Sequence, residues 1–217
     1  MLVDLSHTIE QGMVTYKGFP APLICDYLSR EASRKLYAPG TEFHIGKIEM
    51  VGNTGTYLDS PFHRFADGKD LSQLPLSCLA NLPCVVAHLD PTAGRAISEL
   101  PLAASDVRGC AVLIHTDWSQ HWRTDQYFER HPHITGKLAQ WLVDAGAVLV
   151  GIDSCNIDST DDGHRPVHTT LLGREIPIVE HLRGLGELPR TGGRFFAVPP
   201  KVTGFGTFPV RAYALVA

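Results

Sequence analysis

Five short apolar runs constrain this chain more than any other feature: CVVAHL (84–89), CAVLIHT (110–116), AVLVGID (147–153), RFFAVP (194–199) and VRAYALV (210–216). Their lengths and their Val, Ile and Phe content fit buried strands better than helices. Between them, GKLAQWLVDAG (136–146) sets Leu138, Trp141 and Leu142 on one face and ends at Gly146, a residue suited to close a helix. IPIVEHLRGL (176–185) reads as a second helix, with Pro177 in its first turn and Ile178, Val179 and Leu182 on a common side. Strands alternating with helices predict an α/β layer architecture. In the first half, FHIGKIEMVG alternates apolar and polar residues as a half-buried strand would, then runs into a turn at Asn53 and Gly55. The expectation is a mixed sheet or barrel-like β core flanked by helices. With no repeat, low-complexity tract or linker, residues 1–217 read as one domain.

Composition narrows the function classes. Apolar residues make up 44% and charged residues 19% of the 217, as in a soluble globular protein. A net charge of −4 gives no general attraction to nucleic acid or anionic lipid. No apolar run approaches the roughly 18–20 residues that span a bilayer, and MLVDLSHTIEQG lacks the marks of a signal peptide. Five cysteines without CxxC spacing fit reduced thiols in a cytoplasm. Cys84 and Cys110 read as small core residues. Cys155 has no activating base nearby in sequence, which argues against a nucleophile.

VGNTGTYLDSPFH (51–63) gathers oxygen and nitrogen donors in a turn stiffened by Gly55 and Pro61. Ser60-Pro61 between Asp59 and His63 favours a rigid loop, which holds a carboxylate and an imidazole in fixed relation as a metal site with a nearby base requires. Taken alone, Asp59 reads better as a turn cap and His63 as a surface or hydrogen-bonded histidine. A second cluster, HTTLLGREIPIVE, carries His168 and Glu180, the latter expected early in the 176–185 helix where its charge suits the macrodipole.

Both clusters, in this order, resemble the cyclase family of metal-dependent hydrolases, which includes bacterial kynurenine formamidase and isatin hydrolase. The likeness runs through DLSHTIEQGM, FHIGKIEMVG, NTGTYLDSPFH, HTDW (115–118), VGIDSCNID (150–158), HTTLLGREIPIVE and TGFGTFPVRAYAL. Against the family signature His-x-Gly-Thr-His-x-Asp-x-Pro-x-His, the chain matches at Gly55, Thr56, Asp59, Pro61 and His63. It departs at Asn53 and Tyr57, which stand where two metal-binding histidines should be. The resemblance implies a cyclase-like, swivelling β/β/α fold, a metal set of Asp59, His168 and Glu180, and His63 as catalytic acid/base. It implies one divalent ion (zinc or manganese, with magnesium as a harder alternative), a homodimer or homotetramer, and a small-molecule substrate. Isatin hydrolase, which leans on the two lost histidines, is a poor functional match. Asn53, Tyr57 and His44 are the candidates to substitute for those ligands.

Two carboxylates and one imidazole on a divalent ion leave a position for water. The ion acidifies that water, and an imidazole at His63 suits proton transfer to the departing nitrogen or oxygen. Phe19, Phe62, Trp118 and Phe205 are candidate pocket walls, although a core of this size contains such residues anyway. His7 lines the cleft or makes a structural hydrogen bond. The leading expectation is hydrolysis of an amide, formamide, lactam or lactone bond. The alternatives are a metal-dependent cyclase or lyase of dehydratase type, and a binding protein that lost its metal.

Overall fold

The computed structural model describes residues 1–90 and 94–217. Its strands are β1 (Leu2–Asp4), β2 (Leu23–Leu28), β3 (Ile45–Glu49), β4 (Tyr57–Asp59), β5 (Leu82–His88), β6 (Ala96–Ile97), β7 (Ala111–His115), β8 (His133–Ile134), β9 (Leu149–Ile152), β10 (Ile178–Glu180), β11 (Gly193–Phe196), β12 (Thr207–Pro209) and β13 (Tyr213–Leu215). The helices are α1 (Arg30–Ser33), α2 (Ala104–Val107), α3 (Gly136–Ala145) and α4 (Pro166–Leu172). Nine strands form one sheet in the order β1-β13-β11-β5-β7-β9-β10-β4-β12. All five apolar runs supply strands of it. Strands β5, β7, β9 and β10 are mutually parallel, and β4 turns back antiparallel to β10.

Alternation along the strands divides the core between two faces. Val86, Leu113, Leu58 and Val179 join one cluster with Val3 and Ala214. Val3 on β1 and Leu58 on β4 lie near opposite ends of the strand order yet share that core, so the sheet curls and encloses it. This is the expected barrel-like interior. Val85, Val112, Val150, Ile152 and Ile178 point to the other face, where Leu138 and Leu142 of α3 and Val167 and Leu171 of α4 cover them. Helix α3 follows its sequence signals: the Thr135 side chain accepts from the Leu138 amide, and Gly146 takes the left-handed φ of 85° that ends the helix.

Two expectations need correction. Residues 176–185 are not a helix: Ile178–Glu180 is strand β10, wedged between β9 and β4. All three of its residues are buried, which suits the β-branched pair Ile178-Val179 in a ladder covered on both faces. His181 at φ 56° and Gly184 at φ 67° then break any helical continuation. Strand β3 exists but is not half-buried. It pairs only with β2, and every residue from Ile45 to Glu49 is exposed.

Candidate metal centre

The register of three strands assembles the acidic floor of the site. Asp59, the last residue of β4, faces Ile178 of β10 and Thr207 of β12, and Glu180 faces Tyr57. Since side chains alternate along a strand, Leu58 and Val179 enter the enclosed core while Tyr57, Asp59 and Glu180 project to the helix-covered side. Helix α4 lies there, anchored by Val167, Leu171 and Leu172 in the second core cluster, and its His168 comes down over the carboxylates. His168 Nε2 stands 3.6 Å from Asp59 Oδ2 and 3.7 Å from Glu180 Oε1. After Pro61, a single 3-10 turn carries His63 to the rim, and ligating atoms of Asp59, His63 and His168 lie within 4.8 Å of one another. Residues more than 100 positions apart in sequence thus converge on one site.

His63 owes its position partly to Gly206. The Gly206 carbonyl accepts from both the Ser60 amide (2.8 Å) and the Ser60 hydroxyl (2.9 Å), closing the segment against β12. A Cβ on Gly206 would come within 2.7 Å of the His63 backbone nitrogen, so only glycine permits this approach.

The charge balance of the cluster is unusual. Asp59 is fully buried, and neither of its oxygens has a hydrogen-bond partner. At 3.6 Å its contact with His168 is electrostatic only. An ionised carboxylate buried without donors is costly unless a positive charge meets it. His168 Nδ1 donates to Asp158 Oδ2 at 2.7 Å, which fixes the tautomer and aims Nε2 at the two acids. Burial disfavours the charged His168 ring, but Asp158, Asp59 and Glu180 outweigh it and raise its pKa to about 10. Burial raises the Glu180 pKa, opposed by His168 and reinforced by Asp59. The cluster therefore demands a cation at Nε2. A divalent ion fits it, because a histidine oriented by an outer carboxylate and facing two acids is a familiar ligand geometry.

The replacement residues are placed as follows. Tyr57 donates from Oη to Glu180 Oε2 and lies 2.8 Å from the Tyr16 hydroxyl, which donates to the Cys155 carbonyl. Burial, reinforced by the Glu180 charge, raises the pKa of both phenols, and Tyr57 serves Glu180 as a hydrogen-bond donor. Asn53 Oδ1 accepts from the Thr207 hydroxyl at 3.1 Å. His44 is not brought to the centre. Carried on the exposed hairpin, it pairs with Asp26 at 2.8 Å.

A cavity of about 270 Å³ opens over the cluster, lined by Tyr16, Phe19, Asn53, Tyr57, His63, Arg64, Asn156, Thr160, Arg165, His168 and Glu180. Phe19 is a wall as expected. Trp118, Phe62 and Phe205 are not: the Trp118 indole donates to the Tyr127 carbonyl and borders a different cleft with Asp117 and His121. His7 stacks on Trp122 at 4.0 Å outside the cavity, and burial lowers its pKa to about 3. Cys155 is buried and its thiol pushed up to about 12 by burial, consistent with no nucleophilic role. Sequence reasoning missed Asp158, Tyr16, Asn156, Arg64 and Arg165. The one available signal was Pro166, a good first-turn residue that would have placed PVHTTLL on a helix.

Comparisons with known proteins place the chain in a family. The kynurenine formamidase of Bacillus cereus is 26% identical over 211 residues, covering 97% of this chain and 95% of that protein. A solved structure described as a potential metal-dependent hydrolase with cyclase activity is 25% identical, with a TM-score of 0.76 and coverage of 99% and 96%. Isatin hydrolase A from Labrenzia aggregata shares the fold at 20% identity, with a TM-score of 0.81 and coverage of 100% and 93%. The profile of the family described as "Putative cyclase" matches residues 3–159, and the chain belongs to that family.

Proposed function

We propose that this protein is a metal-dependent hydrolase that opens an amide-type bond (formamide or lactam) or a lactone in a small metabolite. Asp59, His168 and Glu180 would hold one divalent ion, zinc or manganese, with His63 as the acid–base group. The observation that carries this reading is Asp59, buried with both oxygens unpaired beside a histidine whose far nitrogen is already committed to Asp158. Kinship with a kynurenine formamidase over nearly the whole chain supports hydrolysis as the reaction class.

A bound divalent ion supplies Lewis acidity, acidifying water and polarising a carbonyl oxygen. Asp158 keeps the proton on His168 Nδ1 and so keeps Nε2 free to ligate. His63, at the exposed rim, takes the proton from the attacking water and returns it to the leaving nitrogen or oxygen. Tyr16 and Phe19, with ring centroids 5.6 Å apart, supply an apolar wall for the substrate body.

A single ion is supported by the hydrogen bonds that occupy Tyr57 and Asn53, and two acids with one imidazole form a donor set hard enough for manganese or magnesium as well as zinc. A homodimer or homotetramer belongs to the same proposal. It is supported by Leu23, Ile24, Tyr27, Ile45 and Ile48, all exposed on the β2–β3 hairpin. So does a cytoplasmic place without nucleic-acid or membrane partners, supported by five free cysteines and a net charge of −4. Among the described residues, no helix is long and apolar enough to cross a membrane.

The test is elemental analysis of protein purified without chelators, followed by turnover of N-formyl aromatic amines, lactams and lactones. One equivalent of metal and chelator-sensitive hydrolysis are expected; a fully active apo protein would sink the reading. Asn53→His with Tyr57→His should raise the metal content, and unchanged content would count against the alignment of Asn53 and Tyr57 with the family's two ligand histidines.

A further inference from the structure

Beside the metal-ligand cluster, the cavity is lined by two guanidinium groups, Arg64 and Arg165. Each sits next to a site imidazole. Arg64 directly follows His63, and Arg165 is the N-cap residue of α4, the helix that carries His168. Arg64 Nε donates to the Thr169 hydroxyl at 3.1 Å, and its guanidinium lies 5.5 Å from the Phe65 ring centroid. Arg165 Nη1 donates to the Ser159 carbonyl at 2.7 Å. Both tethers go to neutral oxygens. Among the described residues no carboxylate stands at ion-pair distance from either arginine, although Arg165 acts on the charge of nearby Asp162.

The backbone at Arg165 points the same way. Arg165 adopts φ 51° and ψ 58°, a left-handed conformation unfavourable for a residue with a Cβ and doubly so before proline. Strain of this kind persists where surrounding structure enforces it, and it concentrates at ligand sites. Here it belongs to the residue whose side chain lines the cavity while remaining half-buried.

We infer that Arg64 and Arg165 form an anion-reading rim, and that the substrate carries a carboxylate, separate from the bond that is cut, attached to an apolar body resting on Tyr16 and Phe19. The inference rests on the hydrolase reading of the same cavity and adds the substrate class to it. A guanidinium with one nitrogen tethered keeps other N–H groups for a planar anion, which arginine binds bidentately and lysine does not. The cavity volume of about 270 Å³ suits a small aryl or alkyl carboxylate rather than a peptide. Because the carboxylate is not consumed, it stays on one product, and a product-like acid should bind as well.

The experiment uses the metal-loaded protein. Isothermal titration with benzoate and with benzamide compares an anion and a neutral molecule of the same shape. Benzoate is expected to bind roughly tenfold to a hundredfold more tightly, the range for charge-assisted hydrogen bonds. In Arg64→Ala/Arg165→Ala the two ligands should bind alike. Arg64→Lys/Arg165→Lys, which keeps the charge but not the fork, should fall between. Metal content and a thermal melt establish that each variant is folded and loaded. Equal binding of both ligands by the wild type, or a benzoate preference that survives in the double alanine variant, overturns the inference; the second outcome would assign the anion to the metal. A formamidobenzoate and formanilide then serve as substrates, and the ratio of their kcat/KM should collapse in the double alanine variant. If neither is cleaved while benzoate preference persists and depends on the arginines, the hydrolase reading fails and the anion rim stands.

Discussion

The segment leaving β9 carries two buried aspartates, each facing a histidine, and the two pairs behave in opposite ways. Asp158 accepts from the amides of Val167 (2.8 Å) and His168 (2.9 Å) and from His168 Nδ1 (2.7 Å). Burial works against its charge, yet these donors hold its pKa below the ordinary carboxylate value. Asp153 accepts at Oδ1 from the Thr116 amide (2.8 Å) and hydroxyl (2.6 Å), but its Oδ2 has no partner and stops 4.0 Å short of His115 Nε2. There burial prevails and pushes the Asp153 pKa up to about 7. His115 is lowered by burial, only partly offset by Asp117. The same residue types on one segment thus yield an oriented, charge-ready imidazole in one place and two groups driven toward neutrality in the other. What separates them is a direct hydrogen bond, and α4 supplies it by presenting its first-turn amides and His168 together.

The strongest way to break this comparison is to remove each histidine. His168→Ala should abolish metal binding by elemental analysis and with it turnover, whereas His115→Ala should leave the metal content unchanged. Loss of metal from both variants would mean that the contrast has no functional content. A smaller effect is expected from the aspartates. Asp158→Asn should weaken metal affinity by about 10–100-fold, the usual consequence of removing a carboxylate that orients a ligating histidine. Asp153→Asn should not, and competition with a chromogenic chelator measures both.

The smallest effect concerns stability. Asp153 titrates near 7 in the fold against an ordinary value of 3.8, so folding favours its protonated form. That contribution is complete below about pH 4 and is lost as pH rises toward 7. Between pH 5 and 8 the wild type should therefore lose stability relative to Asp153→Asn, by about 2–4 °C in Tm for each kcal/mol involved. Scanning calorimetry at the two pH values checks the sign. A variant that is relatively less stable at pH 8 would show that Oδ2 has a partner in solution.

Much of this was legible in the amino-acid sequence, for reasons that also mark the limit. The buried strands announced themselves because short β-branched runs have little else to become, and α3 because its cap, stripe and terminal glycine agree. Ile178–Glu180 misled because three residues carry no period, and Pro177 fits either a helix start or a strand edge. The acidic floor and His168 could be named only through the resemblance, since register across β10, β4 and β12 decides that Asp59 and Glu180 share a face. Asp158, Tyr16 and Arg165 stayed hidden because their roles depend on contacts across the fold or on one left-handed backbone angle. His44 looked like a site residue by proximity in sequence and Trp118 as an aromatic pocket wall, and they were carried elsewhere, to the hairpin and to a separate cleft.

The close approach at Gly206 has a consequence for how activity in this architecture can drift or be engineered. A methyl group there would press on the backbone of His63 at the rim, in the segment that Ser60 fastens to the Gly206 carbonyl. The placing of the rim imidazole is thus set from a position that offers no chemistry of its own.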